Sequence, residues 1–189
     1  LLCDGKELFT EQGEALFTHF GLSGPLVLSA STYIEDIAKH RYIFEFDLKP
    51  ALDEKTLYDR LTRDFAEQGA HSVQGALAKL LPNSMRPVAV EKWGVDPATR
   101  AAQITKEQKQ ALVQLCKHWQ VPVTALGDKE HAVVTAGGVD VKEVAPKTMA
   151  SKLCSGLYFA GEVLDVDART GGYNLQIAWS TAQAAVRAM

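Results

Sequence analysis

The 189-residue sequence has little cysteine and no long apolar segment, and both absences exclude classes of protein. Its three cysteines, Cys3, Cys116 and Cys154, are few and widely separated, which is typical of reduced thiols rather than of a disulfide framework. No apolar run approaches the ~20 residues needed to cross a bilayer, and no signal peptide is visible. We therefore expect a cytoplasmic protein with no membrane partner.

An excess of positive charge is also missing. The chain carries 20 basic and 23 acidic residues, a net charge of −3, and its basic residues form no block. A nucleic-acid partner therefore has no electrostatic support. Apolar content of 47% and charged content of 23% are ordinary for a folded chain, and the length allows one large domain or two small ones.

Metal-ligand patterns are weak. Cys116 and His118 are two residues apart near the end of a predicted helix, so they point to different faces, and no second Cys/His pair accompanies them. The sequence therefore predicts no metal site.

The segment Gly21–Pro25, GLSGP, departs from the G-x-S-x-G nucleophile elbow because Pro25 stands where the last glycine belongs. A hydrolase that uses Ser23 as its nucleophile is thus a weak alternative, behind the two functions considered below. His19 could act on a substrate or be an ordinary loop histidine, so no catalytic acid or base is assigned.

Hydrophobic periodicity indicates β-rich and helical parts. Residues 41–48 alternate as a half-buried strand, and Thr105 with Gln108 matches a capping box. Helices are predicted over 53–69, 72–81, 85–93 and 105–119, and over about 25–39 after Pro25. Hairpins are predicted from 7–10 with 15–19 and from 121–125 with 130–135, and a strand over 139–144.

The stretch from Gly156 to Ala178, GLYFAGEVLDVDARTGGYNLQIA, has the layout of a ligand site. It predicts a buried strand over 157–160, an acidic loop, and a glycine pair that opens a helix from Asn174 to about Arg187. Glycine lets a ligand approach the backbone closely, and a helix start offers unpaired N–H groups to phosphate or another electron-rich group. A plain strand, turn and helix is the alternative.

The strings GLYFAGEVLDVD and TGGYNLQIAWSTAQAA resemble the C-terminal segment of bacterial BaiN-type NAD(P)/FAD-dependent oxidoreductases. Residues 13–31 and 131–152 resemble the same family. The resemblance implies that FAD is bound by Gly161, Glu162, Asp165, Gly171, Gly172, Tyr173 and Asn174. Ala168 and Thr181 replace glycines usual in the family, and the first substitution could alter the loop.

Flavoproteins of this kind open with a strand, a G-x-G-x-x-G turn and a helix, a motif missing here. The chain also begins with Leu1 rather than methionine. We therefore expect a piece of a longer protein that holds the last portion of the FAD site, and FAD to be bound by the parent rather than by this piece alone. Gly137 and Gly138 either pass near that site or form an ordinary turn.

The predicted fold class is α+β. Residues 1–129 would be an inserted cap domain, β-rich at about 1–50 and 121–129 with a helical cluster at about 53–119. Residues 130–189 would be the C-terminal portion of a Rossmann-like FAD-binding domain. The parent would transfer hydride or electrons between NAD(P)H and a small-molecule substrate that stays unidentified, as does the oligomeric state. A non-catalytic interaction module is the alternative.

Overall fold

A computed structural model describes the backbone of residues 1–189 and every side chain except that of Lys129. The chain divides into two compact units, Leu1–Tyr42 with Val123–Met189 and Ile43–Pro122. Both contain helices and short antiparallel strands, which confirms the α+β class. A domain boundary of the parent protein between residues 129 and 130 stays a prediction. Searched over its described residues, the structure has no helix with the length and apolar character to span a bilayer.

The unit Ile43–Pro122 is built around helices. Its helices are α2 (Glu54–Glu67), α3 (Val73–Ala76), α4 (Met85–Trp93) and α5 (Lys106–Lys117). A 3-10 turn, Leu77–Lys79, continues α3, and another spans Ala101–Gln103. Leu57, Leu61, Leu77 and Leu112 are almost fully buried in one apolar core. The predicted helical cluster is thus present, and the bounds of α2, α4 and α5 lie within two residues of the predicted ones. The helix predicted over 72–81 is α-helical only to Ala76 and continues as the 3-10 turn.

Local capping explains where these helices begin and end. Asp53 accepts a hydrogen bond from the Thr56 N–H at 2.7 Å, which caps α2. Thr105 and Gln108 bond each other's backbone N–H groups, so the predicted capping box of α5 is confirmed. Helix α4 ends at Gly94, whose φ of +74° suits the left-handed cap.

A two-stranded ladder accompanies this core. Strand β5 (Tyr42–Phe46) pairs antiparallel with β6 (Trp119–Pro122), with Phe46 opposite Trp119. The alternation predicted for 41–48 is confirmed, since Tyr42 and Phe44 are buried while the residues between are less so. The predicted hairpin of 121–125 with 130–135 is wrong, because residues 119–122 pair with β5 instead.

The other unit begins with two small hairpins. Strands β1 (Leu2–Cys3) and β2 (Lys6–Glu7) flank an Asp-Gly turn, and β3 (Leu16–Phe17) pairs with β4 (Leu22–Ser23). The hairpin predicted from 7–10 with 15–19 is therefore wrong. Asn-Gly and Asp-Gly pairs set two-residue turns strongly, and this local signal decides the pairing.

Helix α1 (Pro25–Ser31) starts at its predicted proline but ends well before residue 39. The hydroxyls of Ser31 and Thr32 donate to carbonyls three residues back, and Asp36 accepts from the Ala38 N–H. Such side-chain bonds compete with a continuing helix, which explains the early end.

Helix α6 (Tyr173–Ala188) closes the chain, and its predicted start at residue 174 is confirmed to within one residue. Ala185 of this helix forms a small apolar core with Val144, Met149 and Leu164. The strand predicted over 139–144 is wrong, because Asp140 accepts from the Lys142 N–H and starts a 3-10 turn at 141–143.

Candidate functional site

The start of α6 has no side-chain cap in the described structure. Gly171 and Gly172 have φ values of +122° and +88°, a region that favours glycine. Gly172 immediately precedes the helix, and the first turn holds no acidic residue. In contrast to α2 and α5, this helix therefore presents unpaired N–H groups together with the positive end of its dipole.

The space beside this helix start is open. A Cβ atom added at Gly172 would meet no heavy atom within 4 Å, and the side chain of Tyr173 is 62% exposed. A phosphate or the edge of an electron-rich ring can approach the N–H groups closely under these conditions. The open space agrees with the expectation that the glycine pair lets a ligand approach the backbone closely. The FAD contacts of Gly171, Gly172 and Tyr173 stay predictions.

Asn174 holds the loop that precedes the helix. Its Oδ1 accepts from the Ala168 N–H and its Nδ2 donates to the Ala168 carbonyl, both at 2.8 Å. Both polar atoms of the amide are therefore engaged with the protein backbone. The side chain of Asn174 thus fixes the loop, and its contact with FAD stays a prediction. Ala168 makes these bonds through its backbone, so the departure from glycine does not prevent them.

The carboxylate of Glu162 binds the segment that contains Thr135. One carboxylate oxygen, Oε1, accepts from the backbone N–H of Thr135 at 2.9 Å and from its hydroxyl at 3.0 Å. These bonds lower the pKa of Glu162 below its ordinary value, and the bond from the backbone N–H has the larger effect. The carboxylate is thus an anion at neutral pH, and no described residue donates a hydrogen bond to its Oε2.

Thr181, the second departure from the family pattern, has a structural role. Its hydroxyl accepts from the Gly161 N–H at 3.0 Å and donates to the Ile177 carbonyl at 2.7 Å. A glycine at this position would lack the hydroxyl. Thr181 therefore joins the short 3-10 turn Gly161–Val163 to the middle of α6, and that turn packs against the helix.

Gly138 is required by a close approach of two backbone segments. Val139 donates to the Val163 carbonyl at 2.8 Å and its own carbonyl accepts from Asp165 at 2.9 Å. A Cβ at Gly138 would lie 2.4 Å from the Val163 oxygen, closer than real contacts allow. This glycine is thus explained by contact with the chain itself. The Asp165 side chain is exposed, and its predicted FAD contact is untested.

The strand predicted over 157–160 is not formed in the described structure. Leu157 and Phe159 exchange backbone hydrogen bonds with residues 149–151, and only an isolated bridge between Ala150 and Tyr158 results. A strand needs a paired neighbour along its length, and the described chain supplies one only at these few residues.

Sequence reasoning missed two residues beside the glycine pair. Arg169 donates to the Tyr33 hydroxyl at 3.0 Å and lies over the Phe9 ring, 5.5 Å from its centroid. The Thr170 hydroxyl is 3.1 Å from that of Ser29, a buried polar residue of α1. These contacts join segments more than 130 positions apart, and the only signal in the sequence was adjacency to the glycines.

The hydrolase alternative gains no support. Among described residues, the Ser23 side chain makes no hydrogen bond, and the exposed His19 ring contacts only that of its neighbour Phe20, at 5.1 Å between centroids. Gly24 has φ +96° and its Cβ would meet the backbone of residues 14–16 at 3.1–3.3 Å. The GLSGP segment therefore serves the β3–β4 hairpin.

Comparison with known proteins gives matches along most of the chain. A family model described as "HI0933-like protein barrel and H2TH domain" matches residues 1–134. A "Ribosomal RNA dihydrouridine synthase" of Haemophilus influenzae is 37% identical over 183 residues, 97% of this chain and 43% of that protein. The protein of the same name from Escherichia coli is 36% identical over 169 residues, 89% of this chain and 40% of the relative.

A third relative is the "3-dehydro-bile acid delta(4,6)-reductase" of Clostridium scindens, 30% identical over 190 residues, 97% of this chain and 46% of the relative. The chain thus spans less than half the length of these curated relatives. The resemblance to BaiN-type flavoproteins is confirmed by these matches. Since the family model covers well over half of its residues, the chain belongs to the HI0933-like flavoprotein family.

Proposed function

We propose that this chain is part of an FAD-dependent oxidoreductase that passes hydride from NAD(P)H to a carbon–carbon double bond conjugated with a carbonyl. The observation that carries the proposal is the uncapped, glycine-flanked start of α6 in a chain of this family. The relatives named a dihydrouridine synthase and a delta(4,6)-reductase both have names that describe saturation of such a bond.

When bound, FAD would supply the chemistry of hydride transfer from the nicotinamide to one carbon of the double bond, and a proton from water would complete the other carbon. The protein's task is then to hold the flavin and to favour the negative charge that grows on its pyrimidine edge during reduction. The N–H groups at the start of α6 suit this task, because fixed dipoles aimed at developing charge cost no reorganisation during the reaction. Since no described residue donates to Oε2 of Glu162, that oxygen would accept a hydrogen bond from a ribityl hydroxyl.

The substrate is the finer part of the proposal. Net charge and the lack of a basic block favour a small molecule with an enone, as the bile-acid relative's name implies. A uridine in RNA is the second candidate, favoured by the names of the relatives at 37% and 36% identity. Uracil offers the same chemistry, a ring double bond beside a carbonyl, so one flavin site could serve either substrate.

The first experiment is an absorption spectrum of the protein purified from its uninterrupted reading frame. A flavin spectrum at about one cofactor per chain would support the proposal, and a colourless folded protein that ignores added FAD would overturn it. Consumption of NADPH or NADH with a 3-oxo-4,6-diene steroid, or with unmodified ribosomal RNA, then distinguishes the two substrates. If neither is reduced by a flavin-loaded protein, the substrate proposals fail while the flavoprotein assignment stands.

Replacing Gly172 by valine tests the role of the helix start. A β-branched side chain there would fill the open approach, so Gly172→Val should lower flavin content or slow flavin reduction by NAD(P)H. Gly94→Val is the matched control, because Gly94 also has positive φ and open space but lies at the end of α4. Normal flavin content and reduction rate in Gly172→Val would contradict the proposed mechanism.

A further inference from the structure

The hairpin turn between β1 and β2 carries a group of side chains that the proposed function does not use. Cys3, Asp4 and His40 each offer one ligand atom, and the three atoms lie within 4.8 Å of one another. The group was not visible in the sequence, because His40 is 36 positions from Asp4. We propose that Cys3, Asp4 and His40 form a binding site for a divalent transition-metal ion, best suited to Zn²⁺.

The distances between the ligand atoms support the proposal. The His40 Nδ1 is 2.8 Å from Oδ2 of Asp4, and the Cys3 Sγ is 3.9 Å from the same oxygen. With bonds of about 2.0–2.3 Å, two ligands of a tetrahedral Zn²⁺ lie roughly 3.3–3.7 Å apart. These two distances bracket that range, and the ligand atoms of Cys3 and His40 lie within 4.8 Å of each other, so side-chain rotations would bring the three atoms to a common centre.

The backbone holds the carboxylate in place. Asp4 has φ +49° and Gly5 has φ +81°, as a two-residue Asp-Gly hairpin turn requires. The second oxygen of Asp4, Oδ1, accepts from the backbone N–H of Arg41 at 2.9 Å, which leaves Oδ2 facing Cys3 and His40. Hydrogen bonds of this kind orient the ligands of known metal sites.

The donor types favour Zn²⁺ among common ions. A thiolate, an imidazole and a carboxylate match its mixed preference, whereas Ca²⁺ and Mg²⁺ prefer oxygen ligands alone. A thiolate and a carboxylate also neutralise the charge of the ion. The side chains of Asp4 and His40 are about half exposed, so the ion has free access and a fourth position stays open to water.

The site would link β1 to the segment before β5. A metal that binds only the folded chain stabilises it by mass action, so Zn²⁺ should raise the melting temperature of the protein in a concentration-dependent way. This proposal stands on residues 3, 4 and 40 alone, and it does not rest on the flavin assignment.

The test is a Zn²⁺ titration of the chelator-treated full-length protein by calorimetry, with Co²⁺ as a spectroscopic probe. We expect one equivalent to bind and a sulfur-to-Co²⁺ charge-transfer band to appear. Cys3→Ser should abolish the band, and Cys3→Ser and His40→Ala should each weaken Zn²⁺ binding about tenfold or more.

Two control variants come from the same chain. Cys154→Ser removes another exposed thiol, and His118→Ala removes another histidine paired with a carboxylate, Glu45 at 3.2 Å. Neither control should change Zn²⁺ affinity. The proposal is overturned if the unmodified chain binds no Zn²⁺, or if Cys3→Ser binds it as tightly and keeps the charge-transfer band.

Discussion

Replacing Asn174 by alanine removes both hydrogen bonds between the helix start and the loop before it. The two bonds, each 2.8 Å long, are part-buried and join one amide side chain to both backbone groups of Ala168. A net contribution of about 0.5–1.5 kcal/mol for each bond gives about 1–3 kcal/mol of local stability. Losing it should raise the population of the opened loop about 5- to 150-fold.

Trypsin cleavage after Arg169 measures that opening, because Arg169 is exposed and lies between Ala168 and the glycine pair. When opening and closing are fast compared with cleavage, the cleavage rate follows the population of the open form. Mass spectrometry of the peptide that ends at Arg169 gives the rate. We expect Asn174→Ala to increase the rate of cleavage after Arg169 about 5- to 150-fold, without a comparable fall in global stability.

Asn83→Ala is the matched control, since Asn83 is exposed and makes no hydrogen bond in the described structure. It should leave cleavage after Arg169 unchanged. If Asn174→Ala also leaves that rate unchanged, the Ala168 bonds do not hold the loop, and the structural role assigned to Asn174 is refuted.

Three further results are expected. Gly138→Ala should lower the melting temperature well below that of Gly137→Ala in a thermal scan, because both have positive φ but only the first meets the Val163 carbonyl, at 2.4 Å; equal losses would contradict this. Burial raises the pKa of the Cys116 thiol from 9.0 to about 11, so at pH 8 a thiol reagent should label exposed Cys154 and spare Cys116. As the pH rises from 9.0 to about 11, only the thiol of the unfolded chain ionises, so the free energy of unfolding should fall over that range. Rapid labelling of Cys116 in the native protein would contradict the burial on which both Cys116 expectations rest.

The helical unit could be predicted from sequence because its signals are local. Helix α4 has the predicted bounds, and the capping box of α5 joins residues three positions apart. The strands were predicted less well, because a strand is defined by its partner. Residues 121–125 were expected to pair with residues 130–135, whereas the strand Trp119–Pro122 pairs with β5 about 75 positions earlier.

The same distinction explains which parts of the candidate site were predictable. The glycine pair was recognised because its conformation depends on its own residues, and both φ values agree. The polar residues were assigned to FAD, yet the described structure engages one oxygen of Glu162 with Thr135 and the whole amide of Asn174 with Ala168. These bonds fix the backbone around the helix start.

Recognition at this site would therefore depend more on backbone N–H groups than on side chains. Backbone donors are supplied by any sequence that forms the same turn, so the residues that matter are those that shape it. Thr181 and Arg169 therefore have a role that the sequence did not indicate, since Thr181 joins Gly161 to α6 and Arg169 joins the loop to Tyr33. It also explains how Ala168 and Thr181 can differ from the family pattern while the helix start keeps its geometry.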